Sequence, residues 1–266
     1  KIDKNGKEML DGNRFLDWPS SANQKGVDAG LQALMVMAMD AGAEMALALE
    51  DKDLAKKCQE ASRKLKRYVP DHNQSKQGAS LMAIAGLMDA KKADKEVIRV
   101  GGSQKYSTFY GYYMLEALAK AGNYQEALDR ISEYWGAMLD LGATTFWEDF
   151  NIEWTKNAGR IDELVPEGKV DVHGSYGDYC YKGFRHSLCH GWASGPTAWL
   201  SQHVLGIEVV EPGCKIVRIE PHLGNLEWAE GSFPTPYGEI RVSHKKDAKG
   251  RVITEVDAPE GVRIIK

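Results

Sequence analysis

Residues 107–142 read STFYGYYMLEALAKAGNYQEALDRISEYWGAMLDLG. Small and apolar residues recur every three to four positions on both sides of Gly122-Asn123, a helical period. The first helix starts near Ser107 or Thr108 and ends at Ala121, with Gly122 at C′, where a left-handed backbone closes a helix. Asn123 with Glu126 three residues on makes a capping-box-like start for the second. That helix buries Leu128, Ile131, Trp135 and Met138, and Gly142 closes it. Two amphipathic helices joined by two residues form an antiparallel hairpin, and the rest of the chain is read outward from it.

Upstream, Leu31, Leu34, Met35, Ala38 and Met45 mark a helix from Val27. A second runs from about Leu54 to Tyr68, with Leu54, Cys58, Ala61 and Leu65 on one face, Asp53 as N-cap and Pro70 as stop. A third covers Leu81, Ile84, Ala85 and Met88. Downstream, Pro196 opens a sixth helix that stops at Gly206. The first 25 residues are polar and turn-rich, read as a hairpin or extended loop. No strand alternates with the helices, which excludes a doubly wound α/β sheet.

After Gly206 the period becomes short and strand-like. Five strands are predicted: 215–220, 226–233, 238–244, 252–256 and 262–265. They are separated by Pro- and Gly-rich turns. The division is therefore a helical unit over residues 1–206 and a small β domain over 207–266.

The composition narrows the function. Of 266 residues 43% are hydrophobic and 27% charged, with a net charge of −4. This argues against a nucleic-acid partner, which would select a basic surface. No apolar run approaches the roughly 18 residues of a membrane span. Four cysteines without CxxC pairing do not make a disulfide framework, although Cys180 and Cys189 could pair. No metal site is expected, since Cys189-His190 lacks a second ligand pair. The glycines of 101–105 lack phosphate-loop spacing. Lys1 is not an initiator methionine, and no signal peptide is visible.

Two segments offer chemistry. Gly142-Ala143-Thr144-Thr145-Phe146-Trp147-Glu148-Asp149 follows a helix end, with a carboxylate beside an indole. Such a pair suits sugar chemistry, because the ring can pack on a pyranose and a dry wall tunes the acid. Ser187-Leu188-Cys189-His190-Gly191-Trp192 precedes the sixth helix, where His190 could hold a substrate hydroxyl or carboxylate. Asp17-Trp18 is a weaker acid–aromatic pair. Between these segments, residues 149–188 show little periodicity but carry many aromatics, the signature of an ordered functional loop.

Residues 142–148 resemble the Gly-Ala-Thr-Thr-x-Trp-Glu segment of bacterial α-L-rhamnosidases. Phe109-Tyr110-Gly111-Tyr112-Tyr113-Met114-Leu115, Ser187–Trp192 with Gly195-Pro196, and Pro221-His222-Leu223-Gly224 with Pro234-Thr235-Pro236-Tyr237-Gly238 resemble further segments of that family, in order. Where the family has Asn-His-Tyr-Ala, this chain has Cys189-His190-Gly191-Trp192. The resemblance implies half of an (α/α)6 barrel followed by a small antiparallel β-sandwich. It also implies inverting hydrolysis of terminal α-L-rhamnosyl linkages in a rhamnose-containing glycan or glycoside, without a cofactor. Glu148 would be the general base, with Trp147, His190, Trp18, Asp17 and Trp192 at the sugar. The general acid and the first half of the barrel would lie outside this chain, leaving it inactive alone, and the family's habit is export or the periplasm. The sequence also admits another (α/α)6 glycosidase, a sugar phosphorylase, a non-catalytic carbohydrate binder, or a helical scaffold for protein contacts.

Overall fold

The structure is a computed structural model that describes residues 1–177 and 182–266. Helix α1 (Gln24–Ala48) is capped by Asn23, whose side chain accepts from the Gly26 N–H. Helix α2 (Lys52–Leu65) is capped by Asp51, not Asp53, because Asp51 reaches the Leu54 N–H while Asp53 lies inside the first turn. The buried face of α2 is Ala55, Ser62 and Leu65; Leu54 points outward. The cap lies two residues before the expected one, and of the expected face Leu65 is buried while Cys58 and Ala61 are half-buried. Helix α3 (Lys76–Ile84) is buried from Lys76 to Ala83, so hydrophobic periodicity locates it poorly. A short α4 (Ala90–Ala93) runs into a π turn at Asp94–Ile98, a piece the periodicity does not reveal.

The hairpin of residues 107–142 is present. Helix α5 (Gly111–Lys120) ends where Gly122 adopts φ +79, and Asn123 caps α6 (Tyr124–Arg130) by accepting from the Glu126 N–H. A π turn at Ile131–Trp135 carries α6 into α7 (Gly136–Asp140), so one predicted helix is a single rod with a bulge. Gly111 is required for the approach of α5 to this rod, since a Cβ there would lie 2.6 Å from the Trp135 ring. Helix α1 packs on α2 and α3, α3 on α5, and α5 on α6.

Helix α1 corrects one expectation, because by length and composition it is apolar enough to cross a membrane. Its 25 residues are rich in Ala, Leu and Met. Here Val27, Ala33, Val36 and Ala46 are buried against neighbouring helices, and Asp40 is bound by Ser62 and Lys66. Leu31, Leu34 and Met35 are half-buried and pack on the core, and Met45 is exposed.

The aromatic stretch after Glu148 is ordered where described. It holds a 3-10 turn at Ile152–Lys156, the turn α8 (Val172–Ser175), and a Trp154–Tyr176 ring stack at 5.0 Å. The possible Cys180–Cys189 disulfide involves a residue outside the described ones. Helix α9 (Gly195–Trp199) continues into a π turn, Leu200–Val204. At the N-terminus a single antiparallel bridge, Ile2 to Glu8, closes the first loop.

The C-terminal unit has two three-stranded sheets. One holds β1 (Ile207–Val209), β2 (Ile216–Ile219) and β6 (Arg263–Ile265), in the order β1-β2-β6. The other is an antiparallel meander of β3 (Trp228–Thr235), β4 (Gly238–Lys246) and β5 (Val252–Asp257). Ile207, Val217 and Ile219 of the first sheet cluster with Ile240 and Val242 of the second. The fully antiparallel expectation fails at one pair: β6 lies parallel to β2, with Val217 opposite Ile264. The intervening meander returns the chain to the first sheet in β2's own direction.

Several contacts join the units, among them one made by His244 and one at Gly206. His244 bonds the Leu205 carbonyl through Nε2 at 3.0 Å and Thr254 through Nδ1 at 2.9 Å. A carbonyl only accepts, so Nε2 carries the proton. Gly206 has φ +66, and a Cβ there would lie 2.2 Å from the Glu220 carbonyl oxygen. Gly206→Ala therefore combines left-handed strain with a backbone clash. We expect it to destabilise the chain by about 2 kcal/mol or more in urea unfolding; an unchanged midpoint would mean that the junction is loose.

Candidate active site

The loop leaving α7 runs beside the segment that leads into α9, and backbone hydrogen bonds pair them. The His190 N–H donates to the Phe146 carbonyl at 2.8 Å, and the Glu148 N–H to the Ser187 carbonyl at 2.9 Å. Thr145 adds a hydroxyl bond to the Leu188 carbonyl. The Ser187 N–H returns to Glu148 Oε2 at 2.9 Å, so residues 148 and 187 are tied by two bonds in opposite directions.

Glu148 is fixed from a third side. Its carbonyl accepts from the Thr108 hydroxyl at 2.6 Å and the Trp192 indole N–H at 2.8 Å. Its side chain is 13% exposed, against 34% for His190, whose Nδ1 lies 3.7 Å from Glu148 Oε1. That distance is an electrostatic contact, not a hydrogen bond. Glu148 Oε1 is thus directed toward the imidazole while Oε2 is held by the backbone.

Beside these groups stand aromatic rings. Trp192 lies 4.5 Å from the His190 ring and stacks at 5.7 Å on Phe109, which precedes α5. Trp192 and Phe109 are 36% and 38% exposed, so their faces are partly open to solvent. The Trp135 indole N–H donates to the Ala193 carbonyl at 2.9 Å, anchoring this segment to the α6–α7 rod.

Not every expected residue reaches this surface. Trp147 is 0% exposed and packs between Phe150 and His186. Among the described residues its indole N–H has no partner. The side chain expected at the sugar is a core ring beneath the loop, because residue 147 turns inward where 148 turns toward the surface. Asp17 is also buried. Its carboxylate accepts from Gln77 Nε2 at 2.9 Å, the Ser107 hydroxyl at 2.7 Å and the Trp18 N–H at 3.0 Å. Burial pushes its pKa up and these bonds oppose the shift. Ser107 also accepts from the Tyr110 N–H, and Thr108 follows it. Asp17 therefore braces the α5 start that holds Glu148 and offers no open edge to a ligand. Trp18 is half-buried and packs edge-on against Phe15 at 4.8 Å.

Thr108, Phe109, His186 and Ser187 were given no role in the sequence, though Phe109 and Ser187 lie in the motif segments. His186 Nε2 accepts from the Asp149 N–H at 3.2 Å. The proton therefore sits on Nδ1, which is buried with no partner among the described residues. Among the described residues no group of three or more His, Cys, Asp or Glu is placed to hold a metal ion.

Residues 206–265 match the family described as the bacterial alpha-L-rhamnosidase C-terminal domain. An alpha-L-rhamnosidase of Alteromonas sp. (strain LOR) is 30% identical over 118 residues, covering 44% of this chain and 10% of that protein. Among solved structures, a GH78 family rhamnosidase of Bacillus sp. GL1 superposes on 99% of this chain and 28% of its own, with a TM-score of 0.71 at 22% identity. The alpha-L-rhamnosidase of Streptomyces avermitilis, complexed with L-rhamnose, covers 90% of this chain and 23% of its own, at 0.69 and 19%. That of Aspergillus terreus covers 87% and 27%, at 0.69 and 19%. The chain thus spans a tenth of the curated relative and about a quarter of the solved chains.

Two buried histidines and the half-buried His222 set a pH response. Burial lowers the pKa of His186, His222 and His244 below the ordinary imidazole value. The native state then binds fewer protons than the unfolded chain between the two values, so stability rises with pH there. The stabilisation is complete above the unfolded pKa of about 6.5 and is lost as pH falls through the native values. Urea midpoints should drop as pH goes from about 7 to 5, and His186→Gln should shallow the slope. A flat profile over that interval contradicts neutral buried imidazoles.

Proposed function

We propose that this chain, which is related to the bacterial α-L-rhamnosidases, carries the base side of an inverting glycoside hydrolase acting on terminal α-L-rhamnosyl linkages. The observation that carries the reading is Glu148: a carboxylate anchored through one oxygen by the Ser187 N–H, with its other oxygen toward His190 and the Trp192–Phe109 surface. A sugar ring lying on those aromatic faces would bury its C–H surface, and the His190 imidazole would bond its hydroxyls.

In inverting hydrolysis water attacks the anomeric carbon from the face opposite the leaving group. Glu148 takes one proton from that water as the new C–O bond forms. The glycosidic C–O bond breaks, and a second carboxyl group protonates the departing oxygen. The two carboxyl groups stand roughly 6.5–9.5 Å apart so that the water fits. The second would come from helices beyond this chain. The same helices would complete an (α/α)6 barrel against α1, where Leu31, Leu34 and Met35 are half-buried and Met45 is exposed.

Two outcomes follow. The 266-residue chain alone should fold and show no hydrolysis of an aryl α-L-rhamnoside; measurable turnover would place the acid inside it. In the protein that also carries the first half of the barrel, Glu148→Gln should preserve the thermal midpoint and lower kcat by about 10²–10⁴-fold. Turnover within a few fold of the parent would remove Glu148 from the chemistry. Dependence of turnover on inorganic phosphate would favour a phosphorylase instead.

A further inference from the structure

At the junction of the two units lies a cavity of about 550 Å³, lined on one side by Tyr124, Gln202 and His203 and on the other by Glu220, His222 and Phe233. Its size and its place between two structural units are those of a small-molecule site. None of its lining belongs to the Glu148 cluster.

The walls are built. His222 stacks on Tyr124 at 3.6 Å with the rings 8° from parallel, and its N–H donates to the His203 carbonyl at 2.9 Å. His203 Nε2 is bound to Glu116 at 3.0 Å, which fixes the ring. The Tyr112 hydroxyl bonds Gln202 Oε1 at 3.2 Å, so the Gln202 carboxamide presents its NH₂ outward. Glu208, also at the cavity, is paired with Arg218. Glu220 has no ion pair among the described residues.

This lining selects among ligands. A phosphate or carboxylate would use only the Gln202 and imidazole donors and would be repelled by Glu220. An ammonium would engage the carboxylate and leave the Gln202 amide and the Phe233 surface unused. A sugar hydroxyl both donates and accepts, so vicinal hydroxyls can satisfy Gln202 and Glu220 together. Phe233 supplies apolar surface for the C–H side of the ring. We propose that this cavity is a second carbohydrate subsite, taking one neutral pyranose unit at the junction of the helical and β units. It does not rest on the role of Glu148.

The test is a titration of the full chain with L-rhamnose and with methyl glucoside, followed by NMR of the Gln202 side-chain amide and the His203 and His222 imidazoles. Saturable shifts at these groups with a Kd of roughly millimolar are expected. They should persist in Trp192→Ala, which alters the other site. Gln202→Ala and Glu220→Ala, both at exposed positions, should each weaken binding by about fivefold. Absence of saturable shifts, tighter binding of inorganic phosphate or tetramethylammonium, or unchanged affinity in both variants would overturn the proposal. Loss of hydrolysis in the longer protein would leave it standing, because the readout is binding at the junction.

Discussion

The two opposed hydrogen bonds between Glu148 and Ser187 set the position of everything else at the site. One runs from the Glu148 N–H to the Ser187 carbonyl, the other from the Ser187 N–H to the Glu148 carboxylate. They bring segments 39 residues apart side by side. With Thr108 and Trp192 on the Glu148 carbonyl, they leave the carboxylate little freedom except at Oε1. A carboxylate on a loop would otherwise sample many rotamers, and ordering it would cost side-chain entropy. Here the order is supplied by folding, so the loop behaves as part of the scaffold.

The helical rod explains why that loop stands where it does. Trp135, at the π turn between α6 and α7, lies against Gly111 and bonds the Ala193 carbonyl. One side chain therefore touches the start of α5 and the approach to α9. Asp17 reinforces the same α5 start from the N-terminal loop through Ser107. The acid and aromatics divide by depth: Trp147 and Asp17 are structural supports below, while Glu148, His190, Trp192 and Phe109 form the partly open layer above.

Much of this was legible along the chain. The helical hairpin, the Asn123 cap, the closing glycines at 122 and 142 and the five predicted strands are local patterns, and local chemistry determines them. The misreadings have physical causes. Asp51 and Asp53 are both good caps, and only backbone geometry chooses between them. The all-round burial of α3 removes periodicity, and the parallel β2–β6 pairing depends on a chain reversal distant in sequence. Glu148, His190 and Trp192 were visible because acid, imidazole and indole stand in two short segments. Ser187 acts through its backbone and Thr108 through a hydroxyl 40 residues from its acceptor, which side-chain type alone does not announce. Trp147 was assigned to the sugar because adjacency to Glu148 suggests shared exposure, whereas successive residues on an extended loop face opposite ways.

The central claim is that the Glu148 carboxylate activates water and never bonds to the sugar. Proton NMR of the first turnovers of an α-L-rhamnoside, in the protein that contains this chain, reads that directly. The account requires the β anomer to appear first and the α anomer to grow in only by mutarotation. Initial release of α-L-rhamnose would mean a covalent sugar–enzyme intermediate and would contradict it.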